Sequence, residues 1–340
     1  MGVGLKEIAK AAGVSVHTVS DILNRGREGL YRPETRERVL EISRKLHYRP
    51  NRAAQSMRSR KNRIVGFLTI DLAGDGTVEN PIIYPFLVGT SHHLTRQGYH
   101  VGLLELDEIE TSNGAELPPV LQERFFDGLL IHYGLPQRYA SKMDIPVVWW
   151  DSGVFEKHGC IYRDEAEIGR ILTRSLIAMG HKRIAFLLGN PQTEYKEAGR
   201  PLHFSFMKRY EAYLAEMQAN GLTAATVAGQ DIASIAAQMK QVNATAIIVY
   251  TTGELSYLQI AAQMLNLRIP QDLSVAACDF EAHARIIGVK CGGMSYDRFD
   301  AGKKAAQMLY QMIENPAEKV PSITLLGEFH PRDTVLPPAK

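Results

Sequence analysis

Hydrophobic positions near the amino terminus repeat with the period of an α-helix in three consecutive segments. Gly13 ends the first segment, and Ser15 is placed to cap the second. Pro33 suits the first turn of the third segment, where its missing N–H is not needed. The pattern predicts a helix-turn-helix with a third helix that completes its core. The apolar positions are Leu5, Ile8, Ala9 and Ala12, then Val16, Val19 and Leu23, then Val39, Ile42 and Leu46.

The second predicted helix turns polar side chains away from this core, namely His17, Thr18, Ser20 and Asp21. A helix in the major groove of DNA places such side chains beside the base edges, where Asp21 could accept from a cytosine amino group. Because phosphates repel a carboxylate, Asp21 has a second interpretation, in which it pairs with His17 one helical turn away. A basic bundle that binds protein is the alternative for the whole module.

A short polar segment follows the third predicted helix. Pro50 breaks that helix and starts a candidate helix of about nine residues, which is too short to be stable alone in water. The basic run Arg58 to Arg63 follows it, so DNA is the expected partner that orders it. Met57 lies on its apolar face and could wedge into a base step of the minor groove. A solvated basic linker is the alternative.

Charge is distributed unevenly along the 340 residues, although the formal net charge is only +2. Residues 1–63 contain 15 Lys and Arg against 6 Asp and Glu, a net charge of +9. The remainder contains 24 against 31, a net charge of −7. A basic module before an acidic body is typical of a chain that meets a polyanion at one end only.

The composition indicates an ordinary globular protein, with 45% hydrophobic and 22% charged residues. Apolar runs such as Ile184–Leu188 are far shorter than the roughly 20 residues that a bilayer requires. The amino terminus lacks the apolar core of a signal peptide. Cys160, Cys278 and Cys291 are widely spaced, which disfavours a disulfide framework or a zinc site. We therefore expect a cytoplasmic protein without a metal.

After Ile64 the pattern changes to short β-branched runs that alternate with helical periods. This alternation predicts parallel sheets covered on both faces, arranged as two lobes with a ligand cleft at the carboxyl ends of their strands. The candidate strands are Ile64–Ile70, Val101–Leu106, Gly128–Ile131 and Val147–Trp150, then Ile184–Leu188, Ala246–Tyr250 and Ser274–Cys278.

The ordered set of motifs resembles the lactose-repressor (LacI/GalR) family of bacterial transcription regulators. LKEIAKAAGVSVHTVSDILN, PETRERVLE and YRPNRAAQSMRS carry the resemblance, together with GHKRI and IPQDLSV in the body. It implies an α/β protein with an N-terminal helix-turn-helix headpiece over residues 1–49 and a hinge helix and linker over 50–63. A two-lobed periplasmic-binding-protein-like domain of doubly wound parallel sheets follows over 64–340. Lobe 1 is expected at about 64–162 and 291–325, and lobe 2 at about 163–290 and 326–340.

The resemblance implies DNA-binding roles for residues of the headpiece and the hinge, with Val16, His17 and Asp21 as the principal base readers. Two features depart from the family pattern. Asp21 stands where many members have Arg, and the loop from Asn24 to Arg32 is about two residues longer than usual. The full implied set is Ser15, Val16, His17, Thr18, Ser20, Asp21, Asn24, Asn51, Arg52, Ala54, Gln55, Met57 and Arg58.

Asp151 and Asp279 follow predicted strands of the two lobes, where carboxylates could accept hydrogen bonds from sugar hydroxyls. An interlobe hydrogen bond or a turn cap is the alternative for each. Phe206 stands where the family commonly has an effector-binding Arg, so we expect a less polar site in which Phe206, Tyr84 and Trp150 offer stacking faces to a sugar ring. In the alternative, Arg163 or Arg200 supplies the missing charge. The expected effector-binding residues are Ile82, Tyr84, Trp150, Asp151, Phe206 and Asp279.

These expectations define a sequence-specific transcriptional regulator, by default a repressor, and not an enzyme. The usual nucleotide, nucleophile-elbow and zinc motifs are missing, so no cofactor is expected. The expected partners are a pseudo-palindromic double-stranded DNA operator, a small-molecule effector of carbohydrate type and a second copy of the chain. A solute-binding protein and a sugar-metabolising enzyme on the same α/β body are the alternatives.

Overall fold

The structure is a computed structural model, and its contacts divide the chain into two units. One unit comprises residues 1–64 with 123–127, and the other comprises 65–122 with 128–340. The structure describes residues 3–24, 28–50, 56, 61–69, 83–105, 117, 119–132, 139, 142–188, 203–229, 231–280, 285–286 and 289–339.

The amino-terminal unit contains the three predicted helices, α1 (Leu5–Ala12), α2 (Val16–Asn24) and α3 (Pro33–Lys45). Gly13 ends α1 in the left-handed region, with a φ of 64° that glycine adopts without strain. The hydroxyl of Ser15 accepts a hydrogen bond of 3.0 Å from the Thr18 amide and so caps α2. Ile8, Val19 and Val39 are fully buried where the helices meet. The periodicity of the sequence therefore predicted these three helices and their shared core, but Val16, which it placed on the core face, is exposed.

The same unit continues through the link to the body. The carboxylate of Asp127 accepts from the amides of Asn62 and Arg63, at 2.9 and 2.6 Å. The side-chain amide of Asn62 donates to the carbonyl of Arg124 at 2.8 Å. These bonds satisfy backbone and side-chain groups that would otherwise lack partners near the start of the first strand.

The first lobe of the body contains a six-stranded sheet in the order β13-β5-β4-β3-β1-β2. Its strands are β1 (Ile64–Thr69), β2 (His100–Glu105), β3 (Gly128–Ile131), β4 (Val147–Trp150), β5 (Cys160–Arg163) and β13 (Ile323–Leu325). Its described helices are α4 (Ile83–Arg96), α5 (Pro119–Gln122) and α10 (Arg298–Glu314). β1, β3, β4, β5 and β13 pair in parallel. The sequence predicted parallel pairing and the strands β1, β3 and β4, but β5 and β13 were not among its candidate strands.

The second lobe contains a second six-stranded sheet in the order β14-β12-β9-β8-β6-β7. Its strands are β6 (Ile184–Leu187), β7 (Ala225–Val227), β8 (Ala246–Val249), β9 (Ser274–Ala277), β12 (Gly292–Ser295) and β14 (Glu328–His330). Its described helices are α6 (Glu165–Ala178), α7 (Phe204–Ala219), α8 (Ile232–Val242) and α9 (Leu255–Met264). Between β9 and β12 in the chain, β10 (Arg285–Ile286) and β11 (Val289–Lys290) form a separate antiparallel pair.

The chain passes between the lobes at three places, after β5, after β12 and after β13. The second passage was expected near residue 290, with lobe 1 resuming at 291, and the structure differs. β12 pairs in parallel with β9, Gly292 lying opposite Ala276, and in antiparallel register with β14. The chain therefore leaves the second lobe only at Tyr296. No helix among the described residues is long and apolar enough to cross a membrane.

Candidate functional site

Helix α2 presents two side chains to solvent that are suited to contacts with base edges. Val16 is 42% exposed, and the His17 side chain is 66% exposed. Ser15 is exposed beside them, and Thr18 is half-buried. An exposed apolar side chain next to an exposed imidazole can contact a thymine methyl group and a base-edge acceptor.

Two residues that were predicted to face outward on α2 are buried. Ser20 is 4% exposed and Asp21 is 2% exposed. The hydroxyl of Tyr31 donates a hydrogen bond of 2.8 Å to the carboxylate of Asp21, and the imidazole Nε2 of His17 lies 3.3 Å from the same oxygen. The loop before α3 supplies Tyr31, which covers Asp21. The prediction of a base contact by Asp21 is therefore wrong for this conformation, and its pairing with His17 is observed.

Several predicted site residues lie outside the described residues or have side chains that the structure does not describe. The side chain of Asn24 belongs to this group, as do Asn51, Arg52, Ala54, Gln55, Met57 and Arg58 of the expected hinge. Ile82 and Arg200 of the expected effector site also belong to it. Their roles remain predictions from the sequence.

In the body, charged side chains converge where the two lobes meet. Asp279 follows β9 of the second lobe, and its carboxylate binds two guanidinium groups of the first lobe. Arg163, the last residue of β5, donates to one oxygen at 2.5 Å. Arg298, the first residue of α10, donates to the other oxygen at 2.5 Å. All three side chains are at least nine-tenths buried, so Asp279 joins the lobes through charge-assisted hydrogen bonds.

Arg163 is held by carboxylates on both sides of the first passage between the lobes. Its guanidinium donates to Asp151, which follows β4, at 2.7 Å, and its Nε lies 3.1 Å from Glu165 at the start of α6. The ring of Tyr296 lies 5.3 Å from the guanidinium carbon. The hydroxyl of Tyr296 is buried and has no hydrogen-bond partner among the described residues.

Arg209 on α7 completes the network from the second lobe and is 1% exposed. Its Nε donates to Glu165 at 2.6 Å, and its guanidinium also reaches the carbonyl of Tyr250 at 3.2 Å. A further guanidinium nitrogen lies 4.0 Å from Asp279. The three arginines therefore balance three carboxylates, and we call Asp151, Arg163, Glu165, Arg209, Asp279 and Arg298 the interlobe network.

The network keeps the carboxylates of Asp151 and Asp279 ionised. Burial by itself raises the pKa of Asp279, but Arg298 and Arg163 outweigh burial and lower it to about 2. Burial opposes ionisation of Asp151 too, and the Arg163 guanidinium still holds the pKa of Asp151 well below its usual range. Burial lowers the pKa of His132, which lies beside Trp150, to about 4, so this imidazole is neutral at pH 7.

Two aromatic side chains that were expected to stack on a sugar are covered by other rings. Trp150 stacks on Phe86 in the first lobe, with ring centroids 3.6 Å apart and planes 9° from parallel. Phe206 is 1% exposed and meets Phe186 and Tyr250 edge to face. These predicted stacking roles are wrong for this conformation, because both side chains are buried and pack against other rings. Tyr84 is exposed on α4.

The sequence interpretation named Asp151 and Asp279 for ligand contact and left an interlobe bond as their alternative. The structure shows an interlobe bond for Asp279, with Arg163 as one of its partners. The sequence interpretation did not identify Glu165, Arg209 and Arg298, the other charged residues of this network. A signal for Arg209 was present. It follows Phe206 and precedes Tyr213 at helical spacing on an apolar face, where an isolated charge implies a buried partner.

A cavity of about 600 Å³ lies beside the interlobe network, at the passage from β5 to α6. Residues of both lobes line it, including Phe155, Tyr162, Arg163, Arg170, Lys208 and Glu211. The Lys208 ammonium lies 3.9 Å from the centroid of the Phe155 ring, a cation–π contact between the lobes. This volume is typical of a site for a small molecule. No group of His, Cys, Asp and Glu in the described part of the chain is arranged to hold a metal ion.

Two family models match the chain. Residues 4–51 match the model for bacterial regulatory proteins of the lacI family, and residues 173–335 match a periplasmic binding protein-like domain. These matches coincide with the three-helix unit and with most of the second lobe, together with α10. Both parts of the architecture expected from the sequence are therefore confirmed.

Curated relatives match over nearly the full length. The chain is 25% identical to the ribose operon repressor of Lactococcus lactis over 337 residues, covering 97% of each protein. It is 25% identical to the transcriptional repressor PurR of Vibrio vulnificus, covering 97% of this chain and 98% of the relative. Among solved structures, a Lac repressor dimer bound to operator and an anti-inducer matches with a TM-score of 0.75 at 21% identity, covering 99% and 100% of the two chains. Residues 4–51 therefore match the lacI family of bacterial regulatory proteins, and residues 173–335 match a periplasmic binding protein-like domain, in the order expected from the sequence.

Proposed function

We propose that the chain is a sequence-specific DNA-binding transcriptional repressor whose operator affinity is controlled by a small molecule bound between the two lobes. The observation that carries this proposal is the exposure of Val16 and His17 on α2, in a basic three-helix unit joined to a two-lobed body. The relatives support it, since they are named as a ribose operon repressor and as the transcriptional repressor PurR. We infer a cytoplasmic location from the same relationship.

A repressor of this kind acts as a homodimer on a pseudo-palindromic operator, with one α2 in the major groove of each half-site. The second lobe offers an apolar surface for pairing, because Tyr257, Ile260 and Met264 are exposed at positions i, i+3 and i+7 of α9. The expected hinge residues, Asn51–Arg58, would order against the operator centre. An effector between the lobes would change the relative populations of the two conformations of the dimer.

The interlobe network supports a binding role over a catalytic one. An acid or base that works at neutral pH needs a pKa near the working pH. Among the described carboxylates of the network, Asp151 and Asp279 are both held ionised by arginine, and Glu165 binds Arg163 and Arg209. The relatives are regulators by name, which agrees with this proposal.

The test is binding of the full-length chain to an operator selected from random DNA, measured by fluorescence anisotropy. His17→Ala should weaken binding about tenfold or more and relax base preference at one operator position, since a specific base contact contributes roughly 1–3 kcal/mol. His100→Ala, an exposed imidazole of the body, is the matched control. Equal binding of selected and random DNA, at every salt concentration, would refute sequence-specific regulation.

A further inference from the structure

Asp279 occupies a position that suits the acid group of a ligand. Its two oxygens are shared between two separate guanidinium groups, Arg163 and Arg298, which both belong to the first lobe. Asp279 itself belongs to the second lobe. The first lobe therefore contains a pair of arginines whose shared carboxylate comes from the opposite side of the cleft.

Arg163 does not depend on Asp279 alone for its position. It is also bound by Asp151 at 2.7 Å within the first lobe, and its Nε lies 3.1 Å from Glu165. The backbone of Arg298 is fixed at the start of α10, where its amide donates to the carbonyl of Tyr296 at 3.1 Å, and its guanidinium donates to Asp279. Removal of Asp279 would therefore leave Arg163 in place, with the guanidinium of Arg298 beside it to bind a ligand carboxylate.

The charges around Arg163 and Arg298 favour a ligand group that carries a single negative charge between these two arginines. Without Asp279, the interlobe network has three arginines against the carboxylates of Asp151 and Glu165, a formal net charge of +1, which one ligand carboxylate would neutralise. A phosphate monoester, with a charge near −2 at neutral pH, would leave an excess of negative charge beside Asp151. Asp279 retains a cationic neighbour in its own lobe, because Arg209 lies 4.0 Å away.

The surroundings favour hydroxyl groups on the rest of the ligand. Asp279, once released from the arginines, is an acceptor that faces the first lobe from the second. The buried hydroxyl of Tyr296 has no hydrogen-bond partner among the described residues and lies against the Arg163 guanidinium.

We propose that the cleft binds a polyhydroxy carboxylic acid, such as a sugar acid, with its carboxylate between Arg163 and Arg298 in the place that Asp279 occupies without ligand. The hydroxyls of the ligand then donate to Asp279. This inference rests on the proposed function, since it specifies the effector of that regulator. It makes Asp279 an internal competitor of the effector and the two arginines the residues that select an acid over a neutral sugar.

The first experiment uses acetate as the minimal probe, at pH 7, with chloride at equal ionic strength as reference. In full-length Asp279→Ala, acetate should fill the vacated position and raise the melting temperature by about 2 °C or more. The wild type should not respond, and neither should the double variant Asp279→Ala with Arg298→Gln. An equal response in all three proteins, or none in Asp279→Ala, would overturn the proposal.

The second experiment measures the effect of hexonates, hexuronates and pentonates, and of their parent neutral sugars, on operator affinity. An active acid should bind about tenfold more weakly to Arg298→Gln and more tightly to Asp279→Asn, which keeps the size and an acceptor but removes the competing charge. Arg268→Gln, an exposed guanidinium bound to Asp272, is the matched control. An active neutral sugar whose effect survives Arg298→Gln would overturn the proposal.

Operator binding without ligand separates this inference from the function on which it rests. If the wild type does not distinguish its selected operator from random DNA, the proposed function fails. If it does, and the acetate response is absent, only the acid specificity of the cleft fails. If no compound of the panel acts, the acetate result decides the inference by itself.

Discussion

Tyr31 donates a hydrogen bond of 2.8 Å to Asp21 and thereby buries the only carboxylate of helix α2. A carboxylate on the DNA-facing side of this helix would repel phosphates, so its burial makes an acidic residue compatible with the basic character of the unit. His17, exposed one turn earlier, has its Nε2 3.3 Å from the same carboxylate oxygen. Asp21 therefore contacts both Tyr31, in the loop before α3, and His17, the candidate base reader. Through Asp21, the packing of that loop affects the orientation of His17.

Tyr31→Phe should lower the stability of the amino-terminal unit by about 1–2 kcal/mol, because it removes one donor from a buried carboxylate. Operator affinity should fall at the same time, since His17, which already contacts Asp21, would turn further toward this carboxylate. Urea denaturation and anisotropy of the full-length chain measure the two effects. Tyr84→Phe, at an exposed tyrosine of α4, is the control. Unchanged stability and affinity would show that the hydrogen bond contributes nothing to either.

Glu254 should make the body less stable as the pH rises from about 4.5 to about 7. Burial raises its pKa to about 7, and one carboxylate oxygen has no hydrogen-bond partner among the described residues. The folded state therefore holds a proton that the unfolded state has lost in this range, and ionisation opposes folding at higher pH. Glu254→Gln should abolish this dependence and stabilise the body by on the order of 3 kcal/mol at pH 8.

The measurement for Glu254 is urea denaturation at pH 5, 6, 7 and 8. Glu211→Gln, at an exposed glutamate of the same lobe, provides the matched change of charge. If the wild type and Glu254→Gln show the same pH profile, the carboxyl group does not titrate in this range.

Gly302→Ala should destabilise the first lobe. A Cβ at this position would meet the backbone carbonyl of Phe86, and a Cβ at Gly89 would meet the backbone carbonyl of Phe299. The backbones of α4 and α10 are therefore in direct contact at these two glycines. Separating two packed helices typically costs about 1–3 kcal/mol. Thermal denaturation measures the effect. Gly253→Ala, where a Cβ meets only an ordinary contact, should change the melting temperature much less.

Met57→Gly should reduce both operator affinity and DNA bending, if this residue wedges into a base step as the sequence predicts. A wedge exchanges base stacking for a bend that brings more phosphate within reach of the protein. Bending is measured by energy transfer between dyes at the two ends of an operator duplex. Met207→Gly, at an exposed methionine of the body, is the control. Wild-type affinity and bending in Met57→Gly would exclude the wedge.

The sequence by itself determined the parts of this protein that depend on local repetition. Residues one helical turn apart meet whatever the rest of the chain does, so the apolar repeat around Ile8, Val19 and Val39 predicted three helices and their shared core. Alternation of strand and helix likewise predicted two parallel sheets. The family models match residues 4–51 and 173–335, which contain most of the motifs that carried the family resemblance.

Only the tertiary structure decided which polar groups meet. Arg163 and Asp279 are 116 residues apart, and their contact depends on strand order and on how the lobes pack, which periodicity does not encode. The same applies to Asp21, which the helical period placed outside and which the Tyr31 loop covers. A charge is buried only where a partner compensates it, and the identity of that partner is a property of the whole fold.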